Sequence, residues 1–525
     1  MTAKADEDKS EKKEESDAEE IQKIQHSQLY ESLAEIIHES RISEYDFERR
    51  LYSHDVAPLP KMMEMGFKML PDVIVRPKDA KEVSKIVKLA IEKQIPVVPR
   101  GGASWALGGA VPIMGGILLD MATMNDIIEI NKKNLTVMVE PGITWGDLDN
   151  SLRREGYMIG AYPSSAPAAT VGGWINTGGV GVGSYKYGGV DRQVLAMEMV
   201  LPKGEVATFG SNFLDSDSLG DNLHSFFAGT EGTLGIVTRV TLRIYPTPEE
   251  LRSISYTFPS LESMTNAIYE LTHSEVTPFH ISFFDKNHFD YLKLLGKEVP
   301  DARAIVNLAL EGTKVSLDAE ERTVDKLMRK NKGEKQSKEF SDHEWEMRLF
   351  EMNTKRLGPT IMLAEGMIPV SRLNEMIKGT LKIFKKMKLN GAITGMVPDR
   401  NTIAFMPYCL TDERKLRSMM AMALTKKIGD LSFKLGGRPA GLGLFFTGNL
   451  KKMHGQGADV MKNIKSAMDP HDVINPGKTL EGMTRFGVPI PAFGMNMGMD
   501  MLALAARLPG MKHKLHIEPN THHAE

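Results

Sequence analysis

The sequence predicts an α+β fold, on three observations. Short apolar runs alternate with amphipathic helical stretches along most of the 525 residues. Segment 101–235 is crowded with glycine and short of long helical periods, as expected where turns bring backbone close to a ligand. After Pro246 the texture changes, and helix–strand alternation resumes to about residue 430, which predicts a second unit.

The elements follow in order. Ile21, Ile24, Leu29, Leu33 and Ile36 repeat at helical spacing over 21–37. Residues 72–75 read as a strand, 79–93 as an amphipathic helix, and 95–98 as a strand running into Pro99-Arg100-Gly101-Gly102. Further strands are expected at 116–120, 127–131, 136–139, 195–201 and 236–245. The charged stretch 329–342 reads as a mobile loop, and glycine returns at 436–448. A helix over 457–467 leads into Asp469-Pro470-His471-Asp472-Val473-Ile474-Asn475-Pro476-Gly477-Lys478.

Composition removes several classes of function. With 65 Lys+Arg against 68 Asp+Glu, nothing predicts a nucleic-acid partner. Residues 1–20 hold nine acids and four lysines and read as a disordered acidic arm, which leaves the remainder mildly basic. The single cysteine, Cys409, cannot form an internal disulfide, a thiolate zinc site or an iron–sulfur cluster within this chain. Any one-electron relay is therefore expected in a partner. Without an apolar signal core or an 18-residue apolar run, a cytoplasmic place is expected.

The motif with the most chemistry is Arg100-Gly101-Gly102-Ala103-Ser104-Trp105-Ala106-Leu107-Gly108-Gly109, after a strand. Successive bare N–H groups form the anion nest that a pyrophosphate needs, although a glycine-rich hairpin would look similar. There is no GxGxxG fingerprint, and Gly477-Lys478-Thr479 lacks the P-loop glycine because Asp472 holds that position. Further along come Pro163-Ser164-Ser165, Thr170-Val171-Gly172-Gly173, Tyr187-Gly188-Gly189, Leu201-Pro202-Lys203-Gly204 and Gly229-Thr230-Glu231-Gly232-Thr233-Leu234-Gly235-Ile236-Val237.

In this order the motifs resemble those of the FAD-linked oxidases of vanillyl-alcohol oxidase type, with a PCMH-type FAD-binding domain. The nearest branch in that resemblance is glycolate oxidase FAD subunit and D-lactate dehydrogenase, over about residues 45–480. The resemblance implies a two-part FAD-binding domain and an α/β cap domain over the flavin. Its parts would be an N-terminal helical segment at 21–47, FAD-binding residues 48–246 and 431–482, a cap at 247–430 and a Met-rich tail at 483–525. It implies that Arg100, Gly101, Gly102, Ala103, Ser104, Gly108 and Gly109 hold the pyrophosphate. Ser165, Thr170, Gly172 and Gly173 would line the ribityl and flavin region. Glu231, Gly235, Ile236 and Val237 would approach the adenosine side or the flavin edge. Ala103 and Trp105 stand where relatives are glycine-like. No His or Cys lies in 98–110 or 163–190, so non-covalent FAD is expected.

On the substrate side, hydroxy-acid relatives carry GHxGDGNxH and GEHG stretches. Here these read Gly395-Met396-Val397-Pro398-Asp399-Arg400-Asn401 and Gly436 to Phe446, without the His and Glu ligands, so no metal is expected. The Tyr-Arg pair of the phenol-oxidising branch is replaced by Phe445-Phe446, either a wall near the flavin or ordinary core, with Arg438 and Asn449 as nearby polar groups. Trp345-Glu346-Met347-Arg348 matches the W-x-x-R helix whose Arg would bind a substrate carboxylate; the alternative is a surface salt bridge to Glu344, Glu346 or Glu351. Arg348, Tyr408 and Arg438 are thus the catalytic candidates, and His280, His343 and Tyr408 the candidates for a base.

These features point to an FAD-dependent dehydrogenase of a 2-hydroxy acid, passing electrons to an iron–sulfur or quinone-linked acceptor rather than NAD. The alternatives are an aromatic alcohol or phenol oxidase and a flavin electron-transfer subunit of a complex. Met495, Met497, Met499, Met501 and Met511, with basic residues near, suit a clasp on the chain's own body, a partner groove or the inner face of a membrane.

Overall fold

The computed structural model describes residues 26–57, 66–214, 222–349, 351–412, 418–444 and 446–490. The acidic arm, Phe445 and the methionines from Met495 onward lie outside them.

Two sheets build the first unit. Strands β1 (Ile42–Ser43), β2 (Val73–Val75), β3 (Val97–Arg100) and β4 (Ile117–Asp120) run in the order β1-β2-β4-β3, with β2, β3 and β4 parallel. Between β2 and β3 lies helix α1 (Ala80–Lys93). Asp79 starts it by accepting the Glu82 N–H, and Gln94 ends it in the left-handed conformation. Val83, Ile86, Val87 and Ala90, at helical spacing, face the sheet. The second sheet is antiparallel: β5 (Ile127–Asn131), β6 (Thr136–Val139), β7 (Val194–Val200), β8 (Val206–Gly210) and β9 (Ile236–Arg243), in the order β5-β6-β9-β7-β8.

The cap is one antiparallel sheet of nine strands. These are β10 (Glu250–Phe258), β11 (His280–Asp285), β12 (Ala304–Gly312), β13 (Glu334–Lys335), β14 (Thr360–Leu363), β15 (Gly366–Pro369), β16 (Gly391–Met396), β17 (Thr402–Thr411) and β18 (Arg438–Pro439). They run β13-β10-β12-β11-β16-β17-β15-β18, and β14 also pairs with β17. One face carries Ile254, Tyr256, Ile281, Phe283, Val306, Leu308, Ile393 and Phe405. It is covered by the helices α2 (Leu261–Thr272), α3 (Lys314–Lys330), α5 (Leu373–Met387) and α6 (Ser418–Lys434). Burying each such side chain contributes roughly 1.5–3 kcal/mol, so a one-residue slip, which inverts every side chain, is excluded. On the opposite face the Ser255 N–H and Asn307 donate to Ser341 and Glu344, Phe284 packs on Phe289, and Tyr408 on Tyr291 and Leu357, all within the cap.

Two expectations are corrected, and a third is described only in part. Segment 329–342 is not a loop: it holds the end of α3, the strand β13, which pairs with β10, and the start of helix α4 (Lys338–Glu346), capped by Ser337. The expected cap boundary at 430 falls inside α6, and the sheet takes in β18 beyond it. The helix expected over 21–37 is described only as Gln28–Ala34, with Ser27 as its cap. Its first residues are outside the described region.

Candidate active site

Five segments distant in sequence meet at the glycine-rich loop after β3. The Ser104 and Ser165 hydroxyls lie 3.3 Å apart. Side chains at Gly101 and Gly102 would collide with Thr170 and with the Ala168 carbonyl, so only glycine permits this approach. Thr170 accepts the Gly173 N–H and caps the short helix Val171–Thr177. Lys478 donates to the Gly108 carbonyl at 2.8 Å and Asn475 to that of Gly109 at 3.2 Å. Ala103 is held at φ 46°, in the left-handed region that favours glycine.

Glu231 ties the turns together. One of its carboxylate oxygens accepts the N–H groups of Leu442 and Gly443, at 3.2 and 2.8 Å, and the other has no partner among the described residues. Burial pushes this carboxyl up. Gly235 precedes β9, which begins with the buried Ile236 and Val237. Arg100 stacks on Tyr52 and donates to the His54 carbonyl; among the described residues no carboxylate lies within ion-pair distance of it. A largely buried cation with no carboxylate in ion-pair contact among the described residues, beside a glycine nest, suits a pyrophosphate.

The substrate-side candidates separate. Arg348 is not in a surface salt bridge: its Nε donates to the Tyr162 hydroxyl at 3.0 Å and its Nη1 to the Trp345 carbonyl at 2.9 Å. Its guanidinium lies 4.1 Å from the Trp345 ring centre. It lines a small polar cavity, about one water molecule in volume, with His280, Ser282, Asn307 and Glu344. His280 is buried and its Nε2 is unpartnered; burial, helped by Arg348, pushes its pKa down to about 3, so the imidazole is neutral. Asn307 donates to Glu344, whose carboxyl burial pushes up.

The other candidates are not here. The Tyr408 hydroxyl lies 2.8 Å from His288 Nδ1, inside an apolar cluster with Tyr291 and Leu357. Arg438 is exposed on the edge strand β18, and His343 is exposed on α4. Phe446 packs in a core cluster with Leu107, Leu442 and Leu450. Two partners escaped the sequence reading. Tyr162, just before Pro163-Ser164-Ser165, meets Arg348. Glu365, between β14 and β15, accepts the Trp105 indole N–H at 3.0 Å and is pushed up by burial. Neither sits in a spacing pattern; each is placed by the docking of cap on glycine loop.

The nest, the two-part glycine frame and the sheet above it define an FAD-linked oxidoreductase. The chain belongs to the FAD-linked oxidases: residues 71–210 match the FAD binding domain family, and 247–479 match "FAD linked oxidases, C-terminal domain". It is similar to the glycolate oxidase subunit GlcD of Bacillus subtilis, 28% identical over 82% of this chain and 92% of that one. To a D-lactate dehydrogenase of Archaeoglobus fulgidus it is 28% identical, over 78% and 91%. The fold matches p-cresol methylhydroxylase with substrate bound, at a TM-score of 0.74 and 18% identity, over 86% of this chain and 96% of that one.

Proposed function

We propose that this chain dehydrogenates a 2-hydroxy acid of D-lactate or glycolate type and passes the electrons to an acceptor other than NAD. The observation that carries this reading is Arg348: a guanidinium without an acidic partner among the described residues, beside the buried and unpartnered His280. A guanidinium held by Tyr162 and Trp345 keeps donors for a carboxylate. The names of the relatives, glycolate oxidase subunit and D-lactate dehydrogenase, support the same class.

The FAD fits the frame non-covalently, on Arg100 to Ser104, Gly108, Gly109, Ser165, Thr170, Gly172 and Gly173, with Glu231, Gly235, Ile236 and Val237 at its border. When bound, it supplies the hydride acceptor at N5. The residues of the chain do the rest. Arg348 orients the acid by its carboxylate. His280, neutral at physiological pH, has a free ring nitrogen to take the hydroxyl proton, and the carboxylate lifts part of the depression that Arg348 imposes. Cys409 is buried in the cap core with its thiol pushed up to about 12, which suits neither metal nor redox chemistry. A partner therefore takes the electrons onward, consistent with a relative named as a subunit.

The test is anaerobic bleaching of the flavin by D- and L-2-hydroxy acids, aromatic alcohols and sugar acids. Bleaching by a 2-hydroxy acid, lost in Arg348→Ala, supports the reading. Bleaching by aromatic alcohols alone selects the phenol-oxidase alternative, and none at all selects an electron-transfer subunit.

A further inference from the structure

The hydrogen bond between Arg348 and Tyr162 leaves one proton without an acceptor. Arg348 Nε is the donor and the Tyr162 hydroxyl oxygen the acceptor, at 3.0 Å, so the Tyr162 O–H is turned elsewhere. No atom of the described residues accepts it. Tyr162 is only 3% exposed, so bulk solvent does not serve it either. The carboxylate whose charge reaches Tyr162, Asp149, is already engaged by Arg153 and by the Ile159 N–H. Burial pushes the phenol pKa up and keeps the proton on the oxygen. A buried donor of this kind is expected to find an acceptor in the working protein.

The shape of the guanidinium says where that acceptor sits. Nε and Nη2 carry N–H bonds that run parallel along one edge of the plane. Nη1, at the other end, donates to the Trp345 carbonyl at 2.9 Å. Nη2 has no partner among the described residues. Parallel donors of this fork take neighbouring oxygens. An oxygen on Nη2 therefore lies beside the Tyr162 oxygen held by Nε, within reach of the Tyr162 O–H. Both partners are fixed. The Tyr162 N–H bonds the Val182 carbonyl at 3.0 Å, and its chain runs on through Pro163 and Ser164 to Ser165 in the cofactor frame. The Trp345 ring lies against the guanidinium at 4.1 Å.

Building on the reading that Arg348 takes a carboxylate, we propose that Tyr162 is a second substrate-binding residue, whose hydroxyl donates to the carboxylate oxygen that Arg348 Nη2 also holds. One donor belongs to the cap and the other to the first unit. The acid is thereby fixed relative to the cofactor loop as well as to the cap.

The experiment uses the full chain loaded with FAD and titrates glyoxylate and pyruvate, the 2-oxo acids of glycolate and lactate. Tryptophan fluorescence reads binding without turnover, since Trp345 stacks on Arg348. Tyr162→Phe should raise the dissociation constants about ten- to hundred-fold, the range for one hydrogen bond to a charged group, at unchanged FAD content. Arg348→Ala should cost at least as much, and the double variant little more, because both lose the same oxygen. A second variant separates donating from accepting. Site-specific 3-fluorotyrosine at position 162 keeps the ring and makes its hydroxyl a better donor and a poorer acceptor. Binding should tighten; a hydroxyl that only supports Arg348 Nε predicts weaker binding. Parent-like binding in Tyr162→Phe, with loss in Arg348→Ala, overturns the proposal while the Arg348 reading stands. So does weaker binding with 3-fluorotyrosine, or loss of FAD from Tyr162→Phe. If the parent binds neither acid, or Arg348→Ala binds both as the parent does, the Arg348 reading falls, and this proposal with it.

Discussion

Trp105 and Gly441 share one volume: a side chain at position 441 would collide with Cη2 of the indole. The ring is held in place by its N–H bond to Glu365, across 260 residues of sequence. Bulk at one of these positions excludes bulk at the other, so the two can only be exchanged together.

This exchange predicts compensation. Gly441→Ala alone should destabilise the protein by about 1–3 kcal/mol, because the indole cannot move without losing Glu365. The same change in a Trp105→Gly background should cost much less. A double-mutant cycle by urea denaturation measures the coupling, and additive effects would sink the idea.

Arg348→Lys keeps the charge but loses the fork that spans Tyr162 and the Trp345 carbonyl. KM for the 2-hydroxy acid should rise about ten- to hundred-fold, the range for losing one charge-assisted hydrogen bond. FAD content should not change, as read by absorbance after gel filtration.

The buried His280 sets a pH dependence. Its pKa falls from 6.5 in the unfolded chain to about 3 in the folded one. Between these values the unfolded chain binds the extra proton. Its contribution is complete above pH 6.5 and is lost as the pH falls toward 3, by about 1.4 kcal/mol per pH unit. His280→Gln should therefore show a shallower loss of stability than the parent between pH 6.5 and 4.5, in urea melts at several pH values. Parallel slopes would argue that the imidazole titrates normally.

Ala103 occupies the left-handed region at φ 46°. Ala103→Gly removes strain of about 1–2 kcal/mol, partly offset by the greater freedom of glycine in the unfolded chain. A net gain of roughly 0.5–1 kcal/mol is expected from denaturant midpoints; a loss would mean that the Ala103 methyl group makes a contact worth more than the strain.

The glycine frame was legible in the sequence because its requirement is local. Gly101, Gly102 and Gly108 are needed where backbone approaches backbone or φ turns positive, and the order of such turns carries the family resemblance. The helix at Ala80–Lys93 was legible from its apolar period, and most strands from theirs. The stretch 329–342 misled because its charges lie on solvent-facing sides of ordered elements, which composition alone does not separate from a loop.

By itself, then, the sequence determined the α+β class, the family and its FAD cofactor. The tertiary structure alone decided which side chains meet beneath the cap. Arg348 reaches Tyr162 across 186 residues, and Trp105 reaches Glu365 across 260. Turn and helix signals arise from interactions within a few residues, whereas the surroundings of His280, Arg348 and Glu365 depend on strand order and domain docking. That long-range pairing places a buried, neutral histidine beside a guanidinium held by Tyr162 and Trp345.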